Sequence, residues 1–89
     1  MMATNTLFQS MVSEELLCAR AVHKARLNSA HEALGVIREE YLEFEAEVFK
    51  REIQRSPKAM LYELTQIAAM CQRTAEDLGL MTGGLPSAN

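Results

Sequence analysis

A run of glutamates dominates the segment REEYLEFEAE, residues 38–47, where five acids occupy nine positions: Glu39, Glu40, Glu43, Glu45 and Glu47. Carboxylates three or four residues apart share one face of a helix, where they repel one another in water and more strongly when buried. Lys50 and Arg51 can relieve Glu47, but no neighbour in sequence relieves Glu40 and Glu43. Either water screens a solvated face, or a divalent cation such as Mg²⁺ lies among the carboxylates.

A further acid, Glu63, lies within the otherwise apolar run MLYELTQIAAM, residues 60–70. The apolar residues beside it predict a core-facing stripe on the same helix: Leu64, Ile67, Ala68 and Cys71. A carboxylate at the border of a core requires a partner, because burial without one is costly. Glu63 therefore favours a metal site over a purely solvated face for the acidic residues.

Helical elements are predicted to position these side chains. A first helix extends from about Leu7 to about Leu27. A second begins at a capping box formed by Ser29 and Glu32. It continues to about Gln54, because no strong helix breaker intervenes.

A third helix is predicted to begin at Ser56 and Pro57, a pairing of N-cap residue and first-turn proline typical of helix starts. It extends to about Leu78, where Gly79 provides a stop. The chain is thus a single helical domain over residues 1–80, and residues 81–89 have the composition of a flexible tail.

The second helix carries two separate apolar arcs. One contains Ala33, Leu34, Ile37, Tyr41, Phe44 and Val48, and the other contains Leu42, Ala46, Phe49 and Ile53. A helix that is apolar on two sides is normally packed between partners. We therefore predict an all-α fold of three antiparallel helices that completes a helical bundle by forming a homo-oligomer, either a dimer or a tetramer.

Composition narrows the possible partners and compartment. A net charge of −3 gives no electrostatic reason to expect binding to a nucleic acid polymer. No apolar run approaches the ~20 residues that span a membrane, and the N-terminus does not have the pattern of a signal peptide. Cys18 and Cys71 are far apart in sequence, which favours reduced thiols and a cytoplasmic location.

The acidic pattern resembles the MazG-like all-alpha nucleoside triphosphate pyrophosphohydrolases. Their signature is E-x-x-E followed, after a variable gap, by E-x-x-D. This chain has Glu40-x-x-Glu43 and then Glu63-x-x-Gln66 within the segments HEALGVIREEYLEFEAEV and ELTQIAAMCQRTAEDLGL. The resemblance covers about residues 29–80, and relatives of the family occur in bacteria and bacteriophages.

The resemblance implies cleavage of a nucleoside triphosphate between its alpha and beta phosphates, which gives a monophosphate and pyrophosphate. It also implies Mg²⁺, or alternatively Mn²⁺, held by Glu40, Glu43 and Glu63. Glu39 would be either a further ligand or the catalytic base that positions water, and Glu47 could extend the site.

The chain departs from the family pattern at Gln66, where an amide replaces the usual aspartate and one ligand charge is lost. Gln66 is retained as a nucleotide-binding candidate together with three cations that could contact phosphates: Lys24, Lys58 and Arg73. A solvated basic surface is the alternative for such cations.

Three functions follow from these patterns. The first is the Mg²⁺-dependent pyrophosphohydrolase. The second is a non-catalytic oligomer that sequesters a nucleotide or a nucleotide-derived signal, which the loss of the aspartate at position 66 favours. The third is a helical assembly module whose acids are only a charged surface.

Overall fold

The computed structural model describes residues 3–81, and within that range the protein is all-helical, as predicted. Three helices follow in order: α1 (Thr4–Val22), α2 (Ala30–Val48) and α3 (Pro57–Asp77). A 3-10 turn (Glu52–Gln54) lies between α2 and α3. The predicted flexible tail lies outside the described residues apart from Met81.

The predicted starts of α2 and α3 are confirmed by their capping hydrogen bonds. The Ser29 hydroxyl accepts from the backbone N–H of Glu32 at 3.1 Å, and the Glu32 carboxylate accepts from the N–H of Asn28 at 2.7 Å. The Ser56 hydroxyl accepts from the N–H of Ala59 at 3.1 Å, and a proline is the first residue of α3. These bonds satisfy N–H groups that have no partner within the helix.

The end of α3 also matches the prediction. The helix ends at Asp77, and Gly79 adopts a φ of 66°. A side chain disfavours this left-handed conformation, so glycine is suited to the turn that stops the helix.

The predicted end of α1 near Leu27 is wrong, because the helix ends at Val22. The guanidinium of Arg73 on α3 donates to the carbonyls of Ala19, His23 and Ala25. Ala19 lies in the last turn of α1, His23 is its C-cap residue and Ala25 lies just beyond it. Arg73 thus supplies hydrogen-bond donors to carbonyls where the chain leaves the helix. A cation from a distant part of the sequence therefore sets the end of α1.

The predicted end of α2 near Gln54 is also wrong, because the helix ends at Val48. Arg55 Nε donates to the carbonyl of Val48 at 2.8 Å and to that of Lys50 at 3.2 Å. The Glu47 carboxylate accepts from the N–H of Ser56 at 2.8 Å. Directly after the 3-10 turn, Arg55 and Ser56 thus bond back to the end of α2, which a search for helix breakers could not anticipate.

Helix α3 contacts both other helices, and the core forms along it. Val12 and Leu16 from α1 pack with Ala69 and Met70 from α3. Half-buried apolar side chains from all three helices surround them: Phe8, Ala19, Val36, Ile37 and Ala68. Packing of this kind removes apolar surface from water and supplies the main free energy of folding.

The predicted core stripe of α3 is partly wrong. Leu64 is 41% exposed and Cys71 is exposed, while Ile67 and Ala68 are half-buried. The buried positions are instead Thr65, Ala69, Met70 and Arg73. Two of these residues are polar, and the structure satisfies them: the Thr65 hydroxyl donates to the carbonyl of Leu61 at 2.8 Å, and Arg73 donates to the carbonyls that end α1.

Candidate metal centre and adjoining cleft

The three predicted metal ligands come together in the structure. Glu40 and Glu43 lie one turn apart on α2, and Glu63 faces them from α3. Each residue offers a carboxylate oxygen, and the three oxygens lie within 4.8 Å of one another. We call this group the glutamate triad. Its convergence is a matter of geometry, and metal binding by it stays a prediction.

Burial and mutual repulsion raise the pKa of two triad members. Burial, reinforced by the charges of Glu43 and Glu63, raises the pKa of Glu40 to about 7. Burial also raises the pKa of Glu63, and the nearby Glu43 carboxyl adds to the effect. Both shifts mean that the folded protein disfavours the charged forms of these carboxyls.

One oxygen of the triad lacks a partner. Within residues 3–81, Glu63 Oε2 is buried and makes no hydrogen bond. A buried polar oxygen of this kind normally has a partner, because an unmade hydrogen bond costs free energy. A hard cation with oxygen ligands would satisfy this atom and offset the repulsion of all three carboxylates. The donor set therefore fits Mg²⁺ or Mn²⁺.

Glu47, which was predicted to extend the site, does not belong to the triad. Its side chain is buried, accepts from the N–H of Ser56 and pairs with Lys50 at 2.6 Å. The Lys50 ammonium and then the Ser56 N–H lower the pKa of the Glu47 carboxyl. As the sequence suggested, Lys50 relieves this charge, and the carboxylate joins α2 to the start of α3.

A cleft of about 610 Å³ adjoins the triad. Helices α1 and α2 form its walls, α3 forms its floor, and the connection between α1 and α2 contributes His23 and residues 25–28. Glu39 and Glu40 both line the cleft, so the triad lies at its edge. The volume is within the range of pockets that hold small molecules.

Gln66 lies on the floor of the cleft, one turn after Glu63 on α3. Its Nε2 donates to Glu15 Oε1 on α1 at 2.6 Å. The Gln66 amide thus joins α3, the floor of the cleft, to the α1 wall beside the triad. Sequence reasoning missed Glu15, because a contact between α1 and α3 leaves no signal in the spacing of either helix.

The remaining predicted site residues lie in different surroundings. Glu39 is exposed on the cleft wall beside Glu40. Lys24 is exposed on the connection between α1 and α2, and Lys58 is exposed in the first turn of α3. Arg73 lines the cleft, but its side chain is only 4% exposed and donates to backbone carbonyls and to Asp77.

Charged contacts also hold the end of the cleft that is formed by the connection between α1 and α2. Arg20 pairs with Glu76 at 2.8 Å and with Asp77 at 2.9 Å. Arg26 donates to the carbonyl of Asp77 at 3.1 Å, and the N–H of Leu27 donates to the carboxylate of Asp77 at 2.9 Å. These bonds attach residues 20–27 to the end of α3.

Comparison with known proteins gave no match, since no protein-family profile, curated protein or solved structure matches the chain. Among the described helices, none combines the length and apolar character that crossing a membrane requires. The features of the chain that bear on its function are therefore the triad, the cleft and the acidic motif.

Proposed function

We propose that this protein is a MazG-like, Mg²⁺-dependent nucleoside triphosphate pyrophosphohydrolase. It would cleave the bond between the alpha and beta phosphates and release a nucleoside monophosphate and pyrophosphate. The observation that carries this proposal is the convergence of Glu40, Glu43 and Glu63 within 4.8 Å at the edge of a cleft of nucleotide size.

Each acidic residue of the site has a separate role in the proposed reaction. Glu40, Glu43 and Glu63 hold the cation, and the partnerless Glu63 Oε2 supports that role. Glu39, beside Glu40 on the cleft wall, orients the attacking water or adds a further ligand oxygen. Bound Mg²⁺ would neutralise phosphate charge and lower the pKa of the attacking water.

Phosphate contacts are assigned to exposed cations. Lys24 and Lys58 are exposed, and within residues 3–81 neither side chain makes an ion pair or hydrogen bond that phosphate would have to displace. Arg73 would lose its bonds to the carbonyls at the end of α1 if it moved to a phosphate, so Lys24 and Lys58 are the better candidates. Gln66 offers a neutral amide oxygen at the position where the family has an aspartate.

We also propose that the three helices run antiparallel and complete a bundle in a cytoplasmic dimer or tetramer. Contacts of Glu47 with Ser56 and of Glu43 with Glu63 support opposite directions for α2 and α3. The second apolar arc of α2 supports self-association, because Phe49 is 80% exposed and Ile53 is 93% exposed. The two free cysteines support a reducing compartment.

A second candidate is a non-catalytic protein that sequesters a nucleotide. The specific observation in its favour is that Gln66 is neutral and its amide group is bonded to Glu15. A cation at the triad would then have three carboxylates and no fourth anion from α3. Such a protein would retain the cleft and bind its ligand without cleaving it.

Thermal melting with and without Mg²⁺ and nucleotides, followed by analysis of the nucleotide, tests both candidates. A ligand at about 100 times its dissociation constant stabilises the fold by about 2.7 kcal/mol. The enzyme predicts a Mg²⁺-dependent rise in melting temperature together with release of monophosphate and pyrophosphate. The binding protein predicts the same rise with the nucleotide recovered intact.

Two double variants test the role of the triad. The test variant combines Glu40→Gln with Glu63→Gln, and the control variant combines Glu45→Gln with Glu52→Gln. Both pairs remove two acids, but only the first pair removes triad ligands. We expect the first pair to lose the Mg²⁺ effect and turnover, and the control pair to retain both. Unchanged Mg²⁺ binding and turnover in the triad variant would refute the proposed function.

A further inference from the structure

The hydrogen bond between Gln66 and Glu15 fixes the orientation of both groups. A carboxylate can only accept, so the amide of Gln66 must present Nε2 to Glu15 Oε1, as the 2.6 Å contact shows. Both side chains line the cleft. Across the described range, no group donates to Glu15 Oε2. Each carboxylate oxygen accepts up to two hydrogen bonds, so Glu15 retains free acceptor sites in the cleft.

Apolar surface lies on either side of these acceptors. Cys18 and Ala19 follow Glu15 along the α1 wall, Met70 follows Gln66 along the floor, and Val36 faces them from α2. A planar ligand can rest on such surface while its edge meets a few polar groups, which is the usual composition of a small-molecule pocket.

The charges that line the cleft determine which hydrogen-bonding groups the edge of a planar ligand should carry. Four glutamates (Glu15, Glu32, Glu39 and Glu40) and two arginines (Arg26 and Arg73) line it. Both arginines already donate to backbone carbonyls. Beside Glu15, acceptor groups of a ligand therefore meet repulsion and donor groups meet attraction. A single carboxylate pairs best with two parallel N–H groups, since two such bonds fix geometry as well as add energy.

Among the nucleobases, guanine has this edge. Its ring N1–H and its exocyclic 2-amino group are adjacent donors. Uracil and thymine place a carbonyl on each side of their single ring N–H, and cytosine and adenine place an acceptor beside their amino group. A carboxylate therefore attracts the guanine edge and opposes the carbonyls of uracil.

We propose that Glu15, held in position by Gln66, reads the base of the nucleotide and selects guanine. The proposal rests on the proposed function, because it assigns the base of the substrate whose phosphates would lie at the triad. Glu40 of the triad, Glu15 and Gln66 line the same cleft of about 610 Å³. A nucleotide with its phosphates at the triad would therefore have its base within the cleft that Glu15 lines.

The test uses guanosine, inosine and uridine 5′-monophosphates, with the dissociation constant of each measured in EDTA. Without a divalent cation, the readout does not depend on the triad. We expect the dissociation constant of guanosine monophosphate to be lower than that of uridine monophosphate by a factor of at least about ten. This is the factor that one hydrogen bond to a charged group contributes. Inosine monophosphate lacks the 2-amino group and should lie between them.

Two isosteric variants complete the test. Glu15→Gln should abolish the ratio between the guanosine and uridine nucleotides, while Glu14→Gln, on an adjacent residue outside the cleft lining, should retain it. Thermal melting without ligand checks that both variants fold. Equal affinities in the unmodified protein, no binding of any monophosphate, or an unchanged ratio in Glu15→Gln would each overturn the proposal.

Turnover of the corresponding triphosphates with Mg²⁺, measured on the same variants, separates this proposal from the function on which it rests. Turnover without base preference overturns the role of Glu15 and leaves the pyrophosphohydrolase standing. Selective binding of guanosine monophosphate with no pyrophosphate released from any triphosphate supports the role of Glu15 and overturns the hydrolase.

Discussion

Glu40 is the residue at which the triad and the cleft meet. It shares its carboxylate cluster with Glu43 and Glu63, and it lines the cleft beside Glu39. Its pKa of about 7 means that the ion-free folded protein retains a proton there over a range where the unfolded chain has lost it. The charged form of Glu40 is therefore poised to be stabilised by a cation.

We predict that Glu40→Gln stabilises the ion-free protein in mildly alkaline solution. A carboxyl with a raised pKa in the folded state costs stability as pH rises from its ordinary value of 4.5 to about 7, after which the cost is constant. The variant cannot ionise, so it should gain about 1 kcal/mol at pH 8, allowing for partial exposure to water, and nothing at pH 4.

Urea unfolding in EDTA at several pH values measures this difference. Glu45→Gln, on the same helix outside the triad, serves as the control and should retain the pH dependence of the unmodified protein. The raised pKa of Glu63 acts in the same direction, so a smaller alkaline loss should remain in Glu40→Gln. Parallel pH profiles for Glu40→Gln and the unmodified protein would contradict the prediction.

At the scale of the elements, the ends of the helices depend on side chains from elsewhere in the chain. Arg73 of α3 donates to the carbonyls of Ala19, His23 and Ala25 around the end of α1, and Arg55 donates to the carbonyl of Val48, the last residue of α2. Arg73 is also paired with Asp77, whose pKa is lowered by the N–H of Leu27 and by Arg20, against the opposing effect of burial. The guanidinium of Arg73 is thus a buried connector between two helix ends.

Arg73→Met should be the more damaging of two matched substitutions at these ends. It removes the side-chain donor to the carbonyls of His23 and Ala25 and takes one arginine partner from the buried Asp77 carboxylate, so the free energy of unfolding should fall by about 3 kcal/mol. Arg26→Met removes an exposed guanidinium that bonds the end of α3, and it should cost less than about 1 kcal/mol. Urea unfolding measures both, and equal losses would disprove the role given to Arg73.

The sequence predicted helix starts better than helix ends, and the reason lies in the range of the interactions. Ser29 and Ser56 form bonds with residues three positions along, so their signals are local and were confirmed. The ends of α1 and α2 depend on Arg73 and Arg55, whose positions in space are known only from the fold.

The same distinction applies to the candidate site. Glu40 and Glu43 share a helix face by spacing alone, and their meeting with Glu63 was predicted from the resemblance and is present in the structure. The contact between Glu15 and Gln66 joins two helices that are separated by a third in sequence, and no local pattern could indicate it. Likewise, buried Thr65 and Arg73 could not be predicted from hydrophobicity, because their burial depends on the partners they find.

At the scale of the whole molecule, apolar side chains of the predicted second arc are exposed on α2 (Leu42), at its C-cap (Phe49) and in the 3-10 turn that follows (Ile53). Leu42 is 48% exposed, Phe49 80% and Ile53 93%. Large apolar side chains exposed together are typical of interaction sites. We predict that Phe49→Ser with Ile53→Ser shifts the protein toward the monomer, as measured by analytical ultracentrifugation across a range of concentrations.

A control for this prediction is Leu17→Ser, which removes a side chain that is 72% exposed on α1, away from the arc. It should leave the association constant unchanged. A monomeric unmodified protein at all concentrations, or equal association in both variants, would show that the arc does not mediate assembly.

The hydrogen bond between Glu47 and Ser56 joins the end of α2 to the start of α3, at an equal distance in sequence from two triad residues. Glu40 lies seven residues before Glu47, and Glu63 lies seven residues after Ser56. Two helical turns on each side therefore bring the opposing carboxylates level with each other. The segment between Glu47 and Ser56 can change in length without moving the triad. One residue inserted between Glu40 and Glu47, or between Ser56 and Glu63, would rotate the triad carboxylate on that helix by about 100°. The register of the triad is thus kept by a bond two turns away rather than by the loop that connects the helices.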